Sequence, residues 1–308
     1  MSHQVYKKQV ALLLSVLPYV GEEAAFALHG GTAINLFQQN MPRLSVDIDL
    51  TYVPIADRAT SLADINQKLS LLKDIISRSL PSVNVVHKKE ASKLLIKNDD
   101  ALIKVEVNQI KRGCFKEVQK LTLTEKAQKE FNTFCEVPVV EKGHLYGGKI
   151  CAALDRQHPR DLFDIKYMLE KEGFPPEIKK GFLFYLISSN RPLVEMLFPK
   201  FKDQTQAFSN QFAGMTQEKF DYSDYEQTRE ALVQAVNSTL TDEDKTFLVS
   251  IEKGEPDWRK YDFSQFPAVL WKLQNITTLK EQNSNKHKEL CKQLEIEFSN
   301  FEKNKSIH

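Results

Sequence analysis

Two periodicities alternate along roughly the first 170 residues. Residues 4–17 carry apolar side chains at helical spacing and predict an amphipathic helix. Ala25–His29 is a short apolar run ending in Gly30-Gly31, after which Ala33-Ile-Asn-Leu-Phe37 predicts a short helix with Thr32 as its N-cap. Arg43–Val53 alternates with period two, placing Val46, Ile48 and Leu50 on one strand face and Asp47, Asp49 and Thr51 on the other. Residues 61–79 return to helical spacing and stop before Pro81. Strands are predicted over Val83–Val86, Lys93–Ile96 and Ala101–Val107, the last two joined by the turn residues Asn98-Asp-Asp100. Residues 141–157 and 160–171 predict two helices parted by His158-Pro159.

Beyond about residue 175 the period-two signal ends. Helical segments follow, broken at Pro192, Pro199, Gly214, Gly254-Glu-Pro256 and Pro267. Thr241-Asp-Glu-Asp244 reads as a helix start with acids in the first turn, where the helix dipole favours them. Residues 276–308 are polar and predict a solvated helix with a frayed end. The expected organisation is an α/β (α+β) domain over residues 1–172 and an all-helical domain over 173–308.

Composition narrows the class. Of 308 residues, 42% are apolar and 27% charged, which excludes disorder, collagen or coiled coil as a description of the whole chain. Lys and Arg total 42 against 41 Asp and Glu, so any nucleic-acid partner must meet a local basic patch. Lys111-Arg112, Lys116, Lys120, Lys126 and Lys129 form one such stretch, or else a solvated lysine-rich loop and helix. The four cysteines are scattered, which indicates neither a zinc site nor a disulfide framework and suits a reducing cytoplasm. Lys7-Lys8 before the apolar run Val10–Leu17 imitates a secretory leader, but Pro18 and Glu22-Glu23 interrupt it, and a helix of the folded domain is expected instead. No apolar run reaches the ~20 residues of a membrane span. His29, His87, His144 and His158 have no metal spacing and read as surface or packing residues. Phe182–Tyr185, Trp258 and Trp271 are expected in the helical core.

The densest chemistry lies in Gly30-Gly31-Thr32 and Arg43-Leu-Ser-Val-Asp47-Ile-Asp49. Asp47 and Asp49 are two apart on a strand, so both point to one face. Like charges so close are unfavourable unless a cation lies between them, and hard oxygen ligands suit Mg²⁺ bound together with substrate phosphates. Gly-Gly before a helix lets backbone amides approach an anion, and Thr32 adds a hydroxyl. A lone D-x-D on a strand edge is ordinarily just solvated, and a lone Gly-Gly is ordinarily a turn. Their joint occurrence, with Arg43 and Ser45 beside them, describes a phosphate cradle next to a two-carboxylate metal site. Lys149 and Arg156 are seven apart and share a helix face, while Asp161 and Asp164 are i, i+3 neighbours that can serve a site or an interhelical salt bridge. In Lys104-Val-Glu106-Val-Asn108, Glu106 alternates onto the same strand face as Lys104 and Asn108.

The pattern Leu28-His-Gly-Gly-Thr-Ala-Ile-Asn-Leu36 followed by Arg43-Leu-Ser-Val-Asp-Ile-Asp-Leu50 resembles the signature of the DNA polymerase β-like nucleotidyltransferases, and more closely the AbiEii-type toxins. Lys149-Ile-Cys-Ala-Ala-Leu-Asp-Arg156 with Pro159-Arg-Asp-Leu-Phe-Asp-Ile165 resembles the family's Lys helix and Arg-Asp helix. Phe247-Leu, Gly254-Glu-Pro-Asp-Trp258 and Phe266-Pro-Ala-Val-Leu-Trp-Lys-Leu273 are similar to its C-terminal stretch, so the resemblance spans roughly residues 20–275. Thr32 stands where Ser is commoner. The resemblance implies a polymerase β-like domain with a mixed sheet and a helical C-terminal domain. It implies that Asp47 and Asp49 hold Mg²⁺ (or Mn²⁺), that Gly30, Gly31 and Thr32 cradle the phosphates of a nucleoside triphosphate (NTP), and that Arg43 and Ser45 flank the triphosphate. Lys149 would offset transition-state charge, Asp161 (alternatively Asp164) would position nucleotide or acceptor, and Glu106 would be a third carboxylate. It further implies a toxin that transfers a nucleoside monophosphate to an acceptor such as a tRNA 3′ end, paired with a separately encoded antitoxin bearing a DNA-binding winged helix.

Two other readings share the first motif. A small-molecule nucleotidyltransferase of the antibiotic-modifying kind would need an acceptor pocket; the near-neutral charge balance favours it, and the Arg160-Asp161 and C-terminal segments disfavour it. A non-catalytic nucleotide-sensing or antitoxin-binding module has no chemical need for Asp47, Asp49 and Lys149 together.

Overall fold

The computed structural model describes residues 3–305, and the last three residues of the expected frayed end lie outside them. In chain order the elements begin α1 (His3–Gly21), β1 (Phe26–His29), α2 (Gly30–Ala33), a π turn over Ile34–Gln38, β2 (Asp47–Tyr52), α3 (Arg58–Ser79), β3 (Asn84–Lys88), β4 (Lys93–Lys97) and β5 (Leu102–Val107). There follow β6 (Gln119–Thr122), α4 (Glu125–Phe131), β7 (Glu136–Val139), α5 (Lys142–Arg156), α6 (Pro159–Lys171), α7 (Pro176–Ile187), α8 (Leu193–Leu197) and α9 (Thr205–Ala207). A second π turn (Phe208–Phe212), α10 (Tyr222–Thr239), α11 (Asp242–Glu252), α12 (Pro267–Gln282) and α13 (Ser284–Lys305) complete the chain. Two compact units result: residues 1–145 with 205–220, and residues 146–204 with 221–308. Neither junction coincides with the expected boundary at 172. Among the described residues no helix is long and apolar enough to cross a membrane.

The first unit is built on a seven-stranded mixed sheet of order β3-β4-β5-β2-β1-β7-β6. Its β2–β5 and β1–β7 pairs are parallel and the other pairs antiparallel. Period-two alternation explains its sidedness. Ile48, Leu50, Leu94, Ile96, Ile103 and Val105 are buried. Leu13 and Leu17 of α1 and Ile65 and Leu69 of α3 are buried with them, and these two helices pack on the sheet. The alternate positions Val86, Lys88, Lys97, Leu102 and Lys104 are exposed, so the β3-β4-β5 side of the sheet has one apolar face and one solvated face. The expected hairpin turn forms, with Asn98 Oδ1 accepting from the amides of Asp100 (3.0 Å) and Ala101 (2.7 Å).

Two expectations in this unit are corrected. Thr32 does not cap a helix: α2 already starts at Gly30, and the Thr32 hydroxyl donates to the Asp47 carbonyl (2.6 Å). The strand of Asp47 does not start at Arg43. Leu44 N–H donates to the Met215 carbonyl (2.8 Å) and Arg43 bridges antiparallel to Thr216, so residues 43–44 pair with 215–216 instead of the sheet. Strands β6 and β7, four residues each, were not indicated by the pattern.

The second unit is helical. Gly147 admits a close approach of α5 to α7, since a Cβ there would lie 2.2 Å from the Gly181 carbonyl carbon. Phe184 packs on Phe266 (ring centroids 4.8 Å) and Phe263 (5.3 Å), giving the expected aromatic core. Trp271 departs from that expectation. The buried stripe of α12 runs through Ala268, Val269, Lys272 and Ile276, which leaves Trp271 off the stripe and 49% exposed. Thr241 and Asp244 form a reciprocal capping box at the start of α11.

Candidate active site

In the first unit the glycine turn and β2 are locked together by short contacts. β1 ends at His29, which lies opposite Asp49 in the antiparallel register. Gly30 follows with φ +73°, in the left-handed region that favours glycine. A Cβ on Gly30 would lie 2.4 Å from Asp49 Oδ2, so this carboxylate rests against the Gly30 backbone. A Cβ on Gly31 would lie 2.8 Å from Arg43 Nη2 and 2.9 Å from Ser45 Oγ. Thr32 is fully buried, and besides Asp47 its hydroxyl reaches Ser45 Oγ (3.1 Å). Asn35 Nδ2 donates to the Gly31 carbonyl (2.9 Å), holding the turn from the other side. Gly30, Gly31, Thr32, Arg43, Ser45, Asp47 and Asp49 are thus brought together, and the Thr32 hydroxyl acts as an anchor for β2. Gly30→Ala is expected to be felt twice: an L residue in left-handed backbone costs about 1–2 kcal/mol, and the new methyl must displace the Asp49 carboxylate. The expected result is a folded protein with a thermal midpoint a few degrees lower and nucleotidyl transfer lost. Melting curves and a transfer assay on the purified variant check this.

Two lysines hold the carboxylates. In the parallel register Asp47 faces Lys104 and Asp49 faces Glu106. Lys104 Nζ lies 3.6 Å from Asp47 Oδ1, and Lys93 Nζ lies 2.7 Å from Glu106 Oε2. Glu106 therefore stands one strand from Asp49 with its carboxylate engaged by Lys93. Among the described residues no group of three His, Cys, Asp or Glu side chains is assembled for a metal. Asp47 and Asp49 fit an ion of the Mg²⁺ kind, which takes one or two carboxylates and completes its shell from phosphates and water.

The second cluster belongs to the second unit. Lys149 of α5 is 7% exposed, and its ammonium lies 2.9 Å from Asp161 Oδ1 and 3.0 Å from Asp164 Oδ2 on α6. Arg156 forks onto the same Asp161 carboxylate, Nε to Oδ2 at 2.5 Å and Nη2 to Oδ1 at 3.0 Å. The seven-residue spacing of Lys149 and Arg156 does put both on one face, and both meet Asp161. Burial opposes ionisation of Asp161, but Lys149 and Arg156 outweigh it and hold the carboxyl well below the usual range. The turn is set by His158, whose Nδ1 accepts from Arg160 N–H (3.2 Å) ahead of Pro159 at the helix start.

Lys93 and Asn35 were not indicated by the sequence pattern; Lys104 was placed on the Glu106 face, and the strand register reveals that it and Lys93 face carboxylates. The basic stretch at 111–129 is partly structural. Arg112 is buried, Lys116 pairs with Glu141 (3.4 Å), and Lys126 Nζ donates to the Met41 carbonyl (3.1 Å). His144 is a packing residue against Phe115 and His29, and burial pushes its imidazole well below its ordinary value.

The model of the family described as nucleotidyl transferase AbiEii toxin, type IV toxin–antitoxin system, matches residues 11–275. Among solved structures the fold is similar to MenT4, a nucleotidyltransferase toxin from Mycobacterium tuberculosis H37Rv. The TM-score is 0.62 at 13% identity, covering 88% of this chain and 93% of that one. No curated protein matches the sequence. With the family's model matched over most of its length, the chain belongs to the AbiEii nucleotidyltransferase toxin family.

Proposed function

We propose that this toxin transfers a nucleoside monophosphate from an NTP to the 3′ end of an RNA, with tRNA as the acceptor class. The observation that carries the reading is the Asp47/Asp49 pair on one strand face, with the Gly30 backbone pressed on Asp49 and Thr32 tied to Asp47. The acceptor hydroxyl oxygen would attack the α-phosphorus and pyrophosphate would leave. A divalent cation, Mg²⁺ or Mn²⁺, held by Asp47 and Asp49 would offset the charge that develops on the α-phosphate. The amides of the Gly30-Gly31 turn approach the triphosphate without side-chain obstruction. The guanidinium of Arg43 and the hydroxyl of Ser45, both buried beside Gly31, set the position of its phosphates. By resemblance to the family's Lys helix, Lys149 is the candidate to offset the charge of the transferring and leaving groups; within the second unit its ammonium is held by Asp161 and Asp164. Glu106, held by Lys93, serves as a neighbouring acid on the same face.

Family membership and four scattered cysteines, none in a disulfide, support placement in the cytoplasm beside a cognate antitoxin. The test is incubation of the protein with each α-labelled NTP and total RNA, resolved by size. One preferred NTP labelling a discrete RNA band is the expected result. Label confined to small molecules would move the acceptor to the antibiotic-modifying class, and label in nothing would end the reading.

A further inference from the structure

A single register row crosses four strands. Lys88 on β3 lies opposite Lys93 on β4, Lys93 opposite Glu106 on β5, and Glu106 opposite Asp49 on β2. At ~4.8 Å between strands, Lys93 stands about 10 Å and Lys88 about 15 Å from Asp49. The next row places Lys104 opposite Asp47, and the row beyond it places Lys97 opposite Leu102. Lys88, Lys97 and Lys104 are exposed, on the face away from α1 and α3. The whole chain carries a formal charge of only +1; on this face Lys93 is paired with Glu106 and Lys104 lies beside Asp47, and the exposed Lys88 and Lys97 add charge beyond those pairs, a local basic ridge that runs to the carboxylate pair.

Lys104 has a second property. Its ammonium is 3.6 Å from Asp47 Oδ1 while its side chain stays 48% exposed, so it can leave that carboxylate for another anion at little cost. A divalent cation on Asp47 and an ammonium beside it repel each other. A phosphate that takes Lys104 therefore makes Asp47 a better cation ligand, and a cation on Asp47 turns Lys104 toward a phosphate.

We propose that the exposed face of β3-β4-β5 holds the phosphate backbone of the acceptor RNA through Lys88, Lys93, Lys97 and Lys104, and that Lys104 couples RNA binding to metal binding by exchanging Asp47 for a phosphate. The proposal rests on the RNA-acceptor reading above. An acidic protein surface would also meet these lysines. RNA is favoured because the row reaches Asp49, with His29 of β1 opposite it on the far side, so a strand lying along the row is delivered to the reacting groups.

The experiment measures binding of a fluorescein-labelled single-stranded RNA by anisotropy, at several salt concentrations, with and without Mn²⁺; Mn²⁺ affinity is read separately by electron paramagnetic resonance. Mn²⁺ should tighten RNA binding to the wild type. Lys88→Ala/Lys97→Ala should weaken RNA binding at least tenfold at low salt and reduce the log–log salt slope by about 1.4, or ~0.7 for each phosphate that no longer meets a lysine. It should leave Mn²⁺ affinity unchanged. Lys104→Ala should weaken RNA binding, tighten Mn²⁺ severalfold, and abolish the effect of Mn²⁺ on RNA. An unchanged salt slope in the double variant, or a wild type that binds no RNA and instead binds a polyglutamate probe through these lysines, would overturn the proposal. The outcome for the enzymatic reading is separable: RNA held by the ridge without label transfer from any NTP refutes that reading alone, and label transfer with an unaltered KM for RNA in the double variant refutes the ridge alone.

Discussion

Lys149→Ala is expected to destabilise the helical unit by about 3–5 kcal/mol, since it leaves the buried Asp161 and Asp164 without the ammonium they share. At roughly 2–4 °C per kcal/mol for a unit of this size, the thermal midpoint should fall by roughly 6–20 °C. Loss of activity in this variant is therefore ambiguous by itself. Lys149→Met/Asp164→Asn restores the balance of charge, leaving Asp161 with Arg156, and should recover most of the stability. If Lys149 acts on the triphosphate, the double variant stays on the order of 10²-fold slow in transfer although it is folded. Transfer that returns with stability would assign Lys149 a structural part only. The pH dependence of the same cluster has a definite sign. The Asp161 carboxyl is depressed in the folded protein, so its contribution is complete above the ordinary carboxylate value of ~3.9 and is lost as pH falls below it. Thermal midpoints measured downward from pH 6 should therefore hold until about pH 4 and then drop.

Asp47→Asn and Asp49→Asn should each reduce transfer by on the order of 10³-fold or more, because each removes a charged ligand while keeping the side-chain shape. Folding should be unaffected: Asp49 is exposed and Asp47 keeps a third of its side-chain surface, 32%, in solvent. Stability changes at such positions are usually within about 0.5 kcal/mol. The readouts are label transfer and growth arrest on expression without antitoxin. A folded variant with wild-type transfer would remove the carboxylate pair from the mechanism.

The legible parts of the fold were those where one face is buried. β3, β4 and β5 announced themselves because every second residue meets α1 or α3, and so did the long stripes of α1 and α3. Strands β6 and β7 were silent because four residues, one of them Pro138, give alternation no length to show itself. Arg43–Val46 alternates as a strand should, yet the backbone partners of Arg43 and Leu44 are Thr216 and Met215, some 170 residues away, and no local pattern reports that. In the candidate site, the nearness of the glycine turn to the aspartates was legible from residue type and spacing. That Lys149 is shared equally by Asp161 and Asp164 was not: positions three apart on a helix present the same face, and only the orientation of α5 to α6 decides between them.

The return of residues 205–220 to the sheet-bearing unit has a consequence for how such a protein can be divided or inherited. The chain leaves the first unit, re-enters it and leaves again, so no single cut separates the two. A fragment ending after α6 would keep Asp47, Asp49 and Lys149 but lose the partner of Leu44, with Met215 and Thr216 gone from beside Arg43. Exchange of the helical unit between relatives by one crossover would carry off that same segment. Its donor and recipient must therefore recombine at three places, or the loop must travel with a sheet it was not fitted to.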